Sequence, residues 1–248
     1  MYKTILVEKK NHLGILSFNR PDKLNAINVQ VKREVSQALI ELEADDDVRV
    51  VIMTGVGRAF SSGYDIAAPV SELEEFMSLE EEEKLLNLDK PTIAAIHGYA
   101  LGDGLQQALL CDIRVAADDA VLGFIGPLIG GLCYAAFSIL PQVIYSITFH
   151  EILPQVVGRG KANELLFTCG RVSAEEAYRI GLVNRVVPRE QVMPAAAEMA
   201  EQIIKVTPLL LRYSKRMLRQ DFFSTDYKNR LREGLKAISS QQGLQGSS

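Results

Sequence analysis

Two glycine-containing loops hold the residue types and spacing that suit catalysis. One is His97 to Ala116, HGYALGDGLQQALLCDIRVA. The six residues before it, Pro91 to Ile96, have the apolar pattern of a buried strand. A strand, then glycines at 98, 102 and 104, then an apolar run reads as strand, turn, helix. At the start of such a helix, N–H groups without intrahelical partners and the helix dipole favour negative charge. The other loop, Arg58-Ala-Phe-Ser-Ser-Gly-Tyr-Asp-Ile66, follows the strand-like Val48–Thr54. One N–H from each loop, aimed at a single oxygen, would make an oxyanion hole. Two residues beyond Gly104 stands Gln106, whose amide cannot exchange a proton as an acid or base near neutral pH.

The elements that must hold these loops follow from periodicity. Residues 2–9 and 14–19 alternate enough for two strands around a turn at Asn11–Gly14. Asn28 can cap a helix whose apolar stripe is Val31, Val35, Leu39 and Leu42. Asp45-Asp46-Asp47 ends it before the strand Val48–Thr54. Strand, helix and strand repeat, which predicts an α/β core with a largely parallel sheet. Ser71–Leu88 is helical and acidic, a solvated face beside a pocket. Short strands are expected at 112–116 and 120–124, and short helices at Lys161–Cys169 and Ser173–Ile180. Ser173 and Glu176 form a capping box. Gly181 closes that second helix, and a strand from Leu182 to Val187 follows. From Arg189 to about Gln241, three helices are expected, with breaks near Thr207-Pro208 and Ser224-Thr225. The tail Gly243–Ser248 has a disordered composition. The segment Ile139-Leu-Pro-Gln-Val143 recurs as Ile152-Leu-Pro-Gln-Val156, thirteen residues later. The offset is not a whole number of helical turns at ~3.6 residues each, and each copy carries a proline. A local duplication that merely lengthens one helix is therefore not expected.

Bulk composition narrows the function classes. The 248 residues are 48% hydrophobic and 23% charged, ordinary for a soluble globular chain. A net charge of −4 gives no electrostatic case for nucleic acid or an anionic membrane. The helix at 28–45 offers only Lys32 and Arg33, not the basic row that RNA binding needs. The start, MYKTILVEKK, lacks a long apolar core and a small-residue cleavage site, so no signal peptide is expected. No apolar run is long enough to span a bilayer. Cys111, Cys133 and Cys169 are an odd, widely spaced set, read as core residues of a cytoplasmic protein rather than a disulfide frame or zinc site.

The chain resembles the crotonase (enoyl-CoA hydratase/isomerase) superfamily. The resemblance rests on Asn19-Arg-Pro-Asp-Lys-Leu-Asn-Ala26, Phe60-Ser-Ser-Gly-Tyr-Asp-Ile66, Pro91–Asp112 and Ala174-Glu-Glu-Ala-Tyr-Arg-Ile-Gly-Leu-Val-Asn184. It implies an α/β fold, a crotonase-type spiral of ββα units over 1–187. A helical, trimer-forming C-terminal region would cover 188–241 and a tail 242–248, with trimers pairing into hexamers. It implies an acyl-CoA substrate and neither metal nor redox cofactor, coenzyme A entering as part of the substrate. By the same resemblance the oxyanion donors are the backbone N–H groups of Tyr64 and Asp103. Lys23, Leu24 and Ala26 match the loop that cradles the nucleotide end of CoA. Ser62, Gly63, Asp65, Ile66, Gly102, Gln106 and Gly126 are expected to line the substrate. Read from its own surroundings, Asp65 is instead a loop brace.

The departures from the family pattern matter as much. Hydratases use two glutamates, and the matching positions here are Gln106 and Gly126. Hydration by two carboxylates is therefore expected to be absent or very slow. Gly126-Pro127 and Gly130-Gly131 resemble the naphthoate synthase and ring-cleaving hydrolase branches, but Cys133 stands where those carry an aspartate. Asp103 and Tyr134 remain as candidates for proton transfer. Asp103 also suits a helix N-terminus; its carboxylate would repel an enolate unless protonated. The sequence supports an enolate-forming acyl-CoA enzyme of isomerase, decarboxylase or C–C lyase/hydrolase type. The alternative is an inert acyl-CoA-binding or scaffold member.

Overall fold

The computed structural model describes residues 2–76, 80–124 and 148–219. Tyr134, Gly126, Cys133, the first copy of the repeat, the third C-terminal helix and the tail lie outside the described residues.

The chain opens with a hairpin of β1 (Ile5–Lys10) and β2 (Leu13–Phe18). Asn11 and His12 both take positive φ, 51° and 65°, which suits a two-residue turn matched to strand twist. Helix α1 (Val29–Ala44) begins where Asn28 accepts a hydrogen bond from the Val31 N–H at 3.1 Å. Then come β3 (Val50–Gly55), α2 (Leu73–Phe76), α3 (Glu80–Asn87) and β4 (Thr92–Ile96). Short β5 (Tyr99–Leu101) leads into α4 (Asp103–Leu110), β6 (Ile113–Ala117) and β7 (Val121–Gly123). A π-helical turn, Thr148–Ile152, precedes α5 (Leu153–Val157) and α6 (Arg159–Thr168). The chain continues through β8 (Arg171–Ser173), α7 (Ala174–Arg179), β9 (Arg185–Val187), α8 (Val192–Ile204) and α9 (Pro208–Arg219).

Six strands form one sheet in the order β1-β2-β3-β4-β6-β9, parallel except for the first pair. Strand alternation divides its side chains between two cores. Val50, Ile52, Ile93, Ala95, Val115 and Ala117 pack against Val192, Ala195, Ala196 and Ala200 of α8. Val51, Met53, Ala94, Ile96 and Ala116 face the larger core with α1 and α4. Burial on both faces explains why these strands read as unbroken apolar runs. The expected boundary after Val187 thus falls inside the packing, because α8 completes one side of the sheet. Helix α9 is held separately, by Lys215 on the Asp112 carboxylate at 2.7 Å and Arg216 on Asp89.

A second sheet, β5-β7-β8, goes beyond what periodicity predicts. The expected strand at 120–124 supplies β7, but β5 and β8 are three residues each, too short to show a period. They are defined by partners: Tyr99–Leu101 pairs with Val121–Gly123, and that strand with Arg171–Ser173. The second repeat copy spans the last residue of the π-helical turn and most of α5, with Pro154 in the first turn of α5 and Gly158, at φ 79°, closing it.

Candidate active site

The two glycine loops lie side by side at the ends of β3 and β4. They are stitched by N–H bonds from Phe60 to the His97 carbonyl at 2.8 Å, Ser61 to Tyr99 at 2.9 Å, and Leu101 to Ser61 at 3.1 Å. On its other edge the first loop runs along the segment before α1. Ser62 N–H bonds the Leu24 carbonyl, Ile27 N–H bonds Gly63, and Asp65 N–H bonds Ile27. Gly63 and Asp65 thus face Ile27, and strand alternation turns the Tyr64 N–H the other way.

That other way is toward the start of α4. Gly63 has φ +94°, and a Cβ there would stand 2.5 Å from the Leu101 carbonyl and 3.2 Å from the Asp103 nitrogen. Only a glycine lets the two backbones come so close. Gly102, at φ 50° and ψ −121°, turns the chain into α4, with its own N–H fixed on the Gly123 carbonyl at 2.9 Å. The first loop, with the Tyr64 N–H turned away from Ile27, therefore lies against the start of α4 at Asp103. At the far end of α4, buried Arg114 donates to the carbonyls of Cys111 and Leu182 at 2.8 and 2.7 Å. A cation there is favourable to the dipole whose positive end lies at Asp103.

Burial pushes the pKa of the Asp103 carboxyl above the usual aspartate value, opposed by Lys32 and by the N–H groups of Tyr64 and of Asp103 itself. The residue keeps some accessible surface, so a small ligand can reach it, while the surrounding protein mass desolvates the carboxyl.

Lys32 is a site residue that the sequence does not single out. It is buried on α1, and its ammonium lies 4.4 Å from the centroid of the Phe76 ring. Phe76 in turn meets the Tyr64 ring edge-on at 4.6 Å. A cation, two aromatic rings and a carboxyl group thus gather where the two loops meet. The signal in the sequence is helical spacing: Lys32, Ser36 and Leu39 are all buried and extend the stripe of α1.

Of the other expected residues, Lys23 is exposed, Leu24 half-buried and Ala26 buried on the segment beside the first loop. Leu24 and Asn25 take positive φ there, and the Asn25 amide donates to the carbonyls of Val56 and Ala59. Asp65 is a brace: it accepts from Arg20 at 2.8 Å and from the Ala67 N–H at 3.1 Å. Ser62 is half-buried and Ile66 is exposed. Gln106 is buried on α4, one turn beyond Asp103. Its neighbour Gln107 is fully buried with both amide atoms unbonded, beside Cys111, whose Sγ lies 3.5 Å from the Gln107 carbonyl. His97 is buried, and burial followed by nearby Arg189 lowers its pKa. Asp112 accepts from the Thr92 N–H and hydroxyl, a structural role.

A spiral of strands and helices in which two glycine loops pack backbone to backbone defines a class. The enoyl-CoA hydratase/isomerase family model matches residues 8–240, and the chain belongs to that family. A crotonyl-CoA hydratase of Syntrophomonas wolfei is 36% identical over 225 residues, 86% of this chain and 80% of that protein. The crystal structure of an enoyl-CoA hydratase from Bacillus anthracis is 29% identical. It superposes with a TM-score of 0.79 over 98% of this chain and 95% of its own. A monofunctional enoyl-CoA isomerase of Mycobacterium smegmatis gives 0.73 at 30% identity, over 90% and 95%.

Proposed function

We propose that the protein binds an acyl-CoA thioester and stabilises its enolate between the N–H groups of Tyr64 and Asp103. The close approach of the Gly63 backbone to the Asp103 nitrogen is the observation that supports the reading. As the thioester carbonyl takes on charge, fixed donors stabilise it without reorganising solvent. Lys23, Leu24 and Ala26 would receive the nucleotide end of CoA from the adjoining segment. Gln106 stands at a position where proton exchange is required for hydration, and Gly126 offers no acid. The reaction we favour is thus isomerisation, decarboxylation or C–C bond cleavage, with Asp103 and Tyr134 as the proton-transfer candidates. We further propose a cytoplasmic homotrimer or hexamer; α9 carries Leu209, Leu210, Tyr213 and Leu218 on exposed positions, as a subunit contact requires. Among the described residues, no helix is long and apolar enough to cross a membrane.

The competing reading is an inert acyl-CoA-binding or scaffold member, favoured by the lack of a carboxyl at positions 106 and 126. A turnover screen with crotonyl-, 3-enoyl-, malonyl- and cyclic 2-oxoacyl-CoA esters separates the two. The enzyme reading expects turnover of at least one ester other than crotonyl-CoA. Micromolar binding without any turnover leaves the scaffold reading.

A further inference from the structure

We propose that Lys32 is a positioning residue for the acyl end of the ligand: its buried ammonium seats the Phe76 ring, and Phe76 seats the Tyr64 ring beside the first glycine loop. This rests on the acyl-CoA reading above and concerns what sets the wall of that site.

Two consecutive basic residues of α1 grip α2 in different ways. Arg33 forks onto the Glu75 carboxylate at 2.6 and 2.7 Å, with both side chains well exposed. Exposed pairs of this kind contribute little. Lys32 is only 7% exposed, and its ammonium stands 4.4 Å from the Phe76 ring centroid. Phe76 is itself buried and meets the Tyr64 ring at 4.6 Å, with the two planes 69° apart. The contacts form a chain from the buried side of α1 to the residue whose N–H faces α4.

Each link has a physical reason. The face of an aromatic ring is negative, so a cation favours one ring orientation, and more so where water is excluded. An apolar side chain at position 32 would fill space beside Phe76 without selecting that orientation. The edge-on contact then passes the choice to Tyr64. The Tyr64 backbone is fixed independently, because the N–H groups of Ile27 and Asp65 bond the Gly63 and Ile27 carbonyls. Its half-buried ring is the part that rotamer freedom would leave unset. A ring set before the ligand arrives spares binding the entropy of ordering it.

The ammonium is also felt at the start of α4, where it favours the ionised form of Asp103. A direct effect of its charge on the ligand is therefore the rival account, and Phe76 separates the two. A lysine that acts through Phe76 has no further effect once that ring is gone.

The test uses the full-length protein, with coenzyme A and butyryl-CoA titrated calorimetrically into wild type and variants. The ratio of the two dissociation constants isolates the acyl end, since the nucleotide part is common to both. Wild type should favour butyryl-CoA. Lys32→Met should shrink that preference about tenfold and leave coenzyme A affinity unchanged. Lys32→Arg keeps a cation for the ring and should stay within about threefold of wild type. Arg33→Met should change the ratio by no more than about twofold. Phe76→Leu should lose as much as Lys32→Met, and the double variant no more than either alone. Should Lys32→Met fail to fold, a loss in Phe76→Leu with none in Lys32→Arg supports the proposal, and any other pattern overturns it. A full preference in folded Lys32→Met, an equal loss in Lys32→Arg, or a further tenfold loss in the double variant would each overturn the proposal and leave the acyl-CoA reading intact. Folded wild type that binds neither ligand, or both equally, would bring down that reading and this proposal with it.

Discussion

The two loops of the site each carry an aspartate, and the chain uses them in opposite ways. Asp65 sits one residue past its loop's donor. Its N–H is committed to Ile27, and its side chain closes on Arg20 and the Ala67 N–H. Asp103 opens α4, and burial holds its carboxyl above the usual aspartate value. The carboxylate matched by an arginine braces its loop, and the desolvated one is biased toward its neutral form. Surroundings, not residue type, decide the difference.

The largest break in this comparison comes from Gly63, where the first loop touches the second. Gly63→Ala forces a methyl group against the Leu101 carbonyl, and the Tyr64 N–H must swing away. Loss of one oxyanion donor should lower turnover about 10²–10³-fold, measured on whichever ester the screen selects. Arg20→Ala leaves the Asp65 carboxylate poorly exposed and without its cation. A loss of about 2 kcal/mol is expected, read from the urea midpoint. Gly102→Ala meets nothing within 4 Å, so only its φ of +50° opposes the change. About 1 kcal/mol of stability should go, and a loss as large as that at Gly63 would show that the second loop is as tightly packed as the first. Gln107→Leu removes two unbonded buried amide atoms and should raise stability by about 1 kcal/mol, seen as a higher Tm.

The smallest effect is the pH dependence of stability. Burial raises the Asp103 pKa, so its share of stability is full below the ordinary value of 3.8 and is lost as pH rises through the folded value. Asp103→Asn should therefore be more stable than wild type at about pH 8. The gap should close toward acid in paired denaturation curves.

The close approach of the two loops is readable in the sequence because glycines at fixed spacing after strands mark turns where two backbones approach closely. The α1 cap and stripe, the capped α7 and the sheet's parallel character are also readable from local signals. Lys32 is not, because a lysine at the margin of an apolar stripe looks solvated until Phe76 and Asp103 arrive from distant segments. The strands β5 and β8 escape for a similar reason: three residues carry no period, and their partners supply the order. That residue 106 carries an amide and no carboxyl is plain from residue type.

Because backbone groups join the two loops, any residue other than proline at 103 leaves that junction as it is, while its side chain sets the charge beside it. Aspartate and glycine codons differ by one base at the second position. A lineage can therefore pass between a site with a desolvated carboxyl and one without it in a single mutational step, without rebuilding either loop. The sheet and helix that hold the loops act as fixed hardware, and position 103 is the setting that is inherited with them.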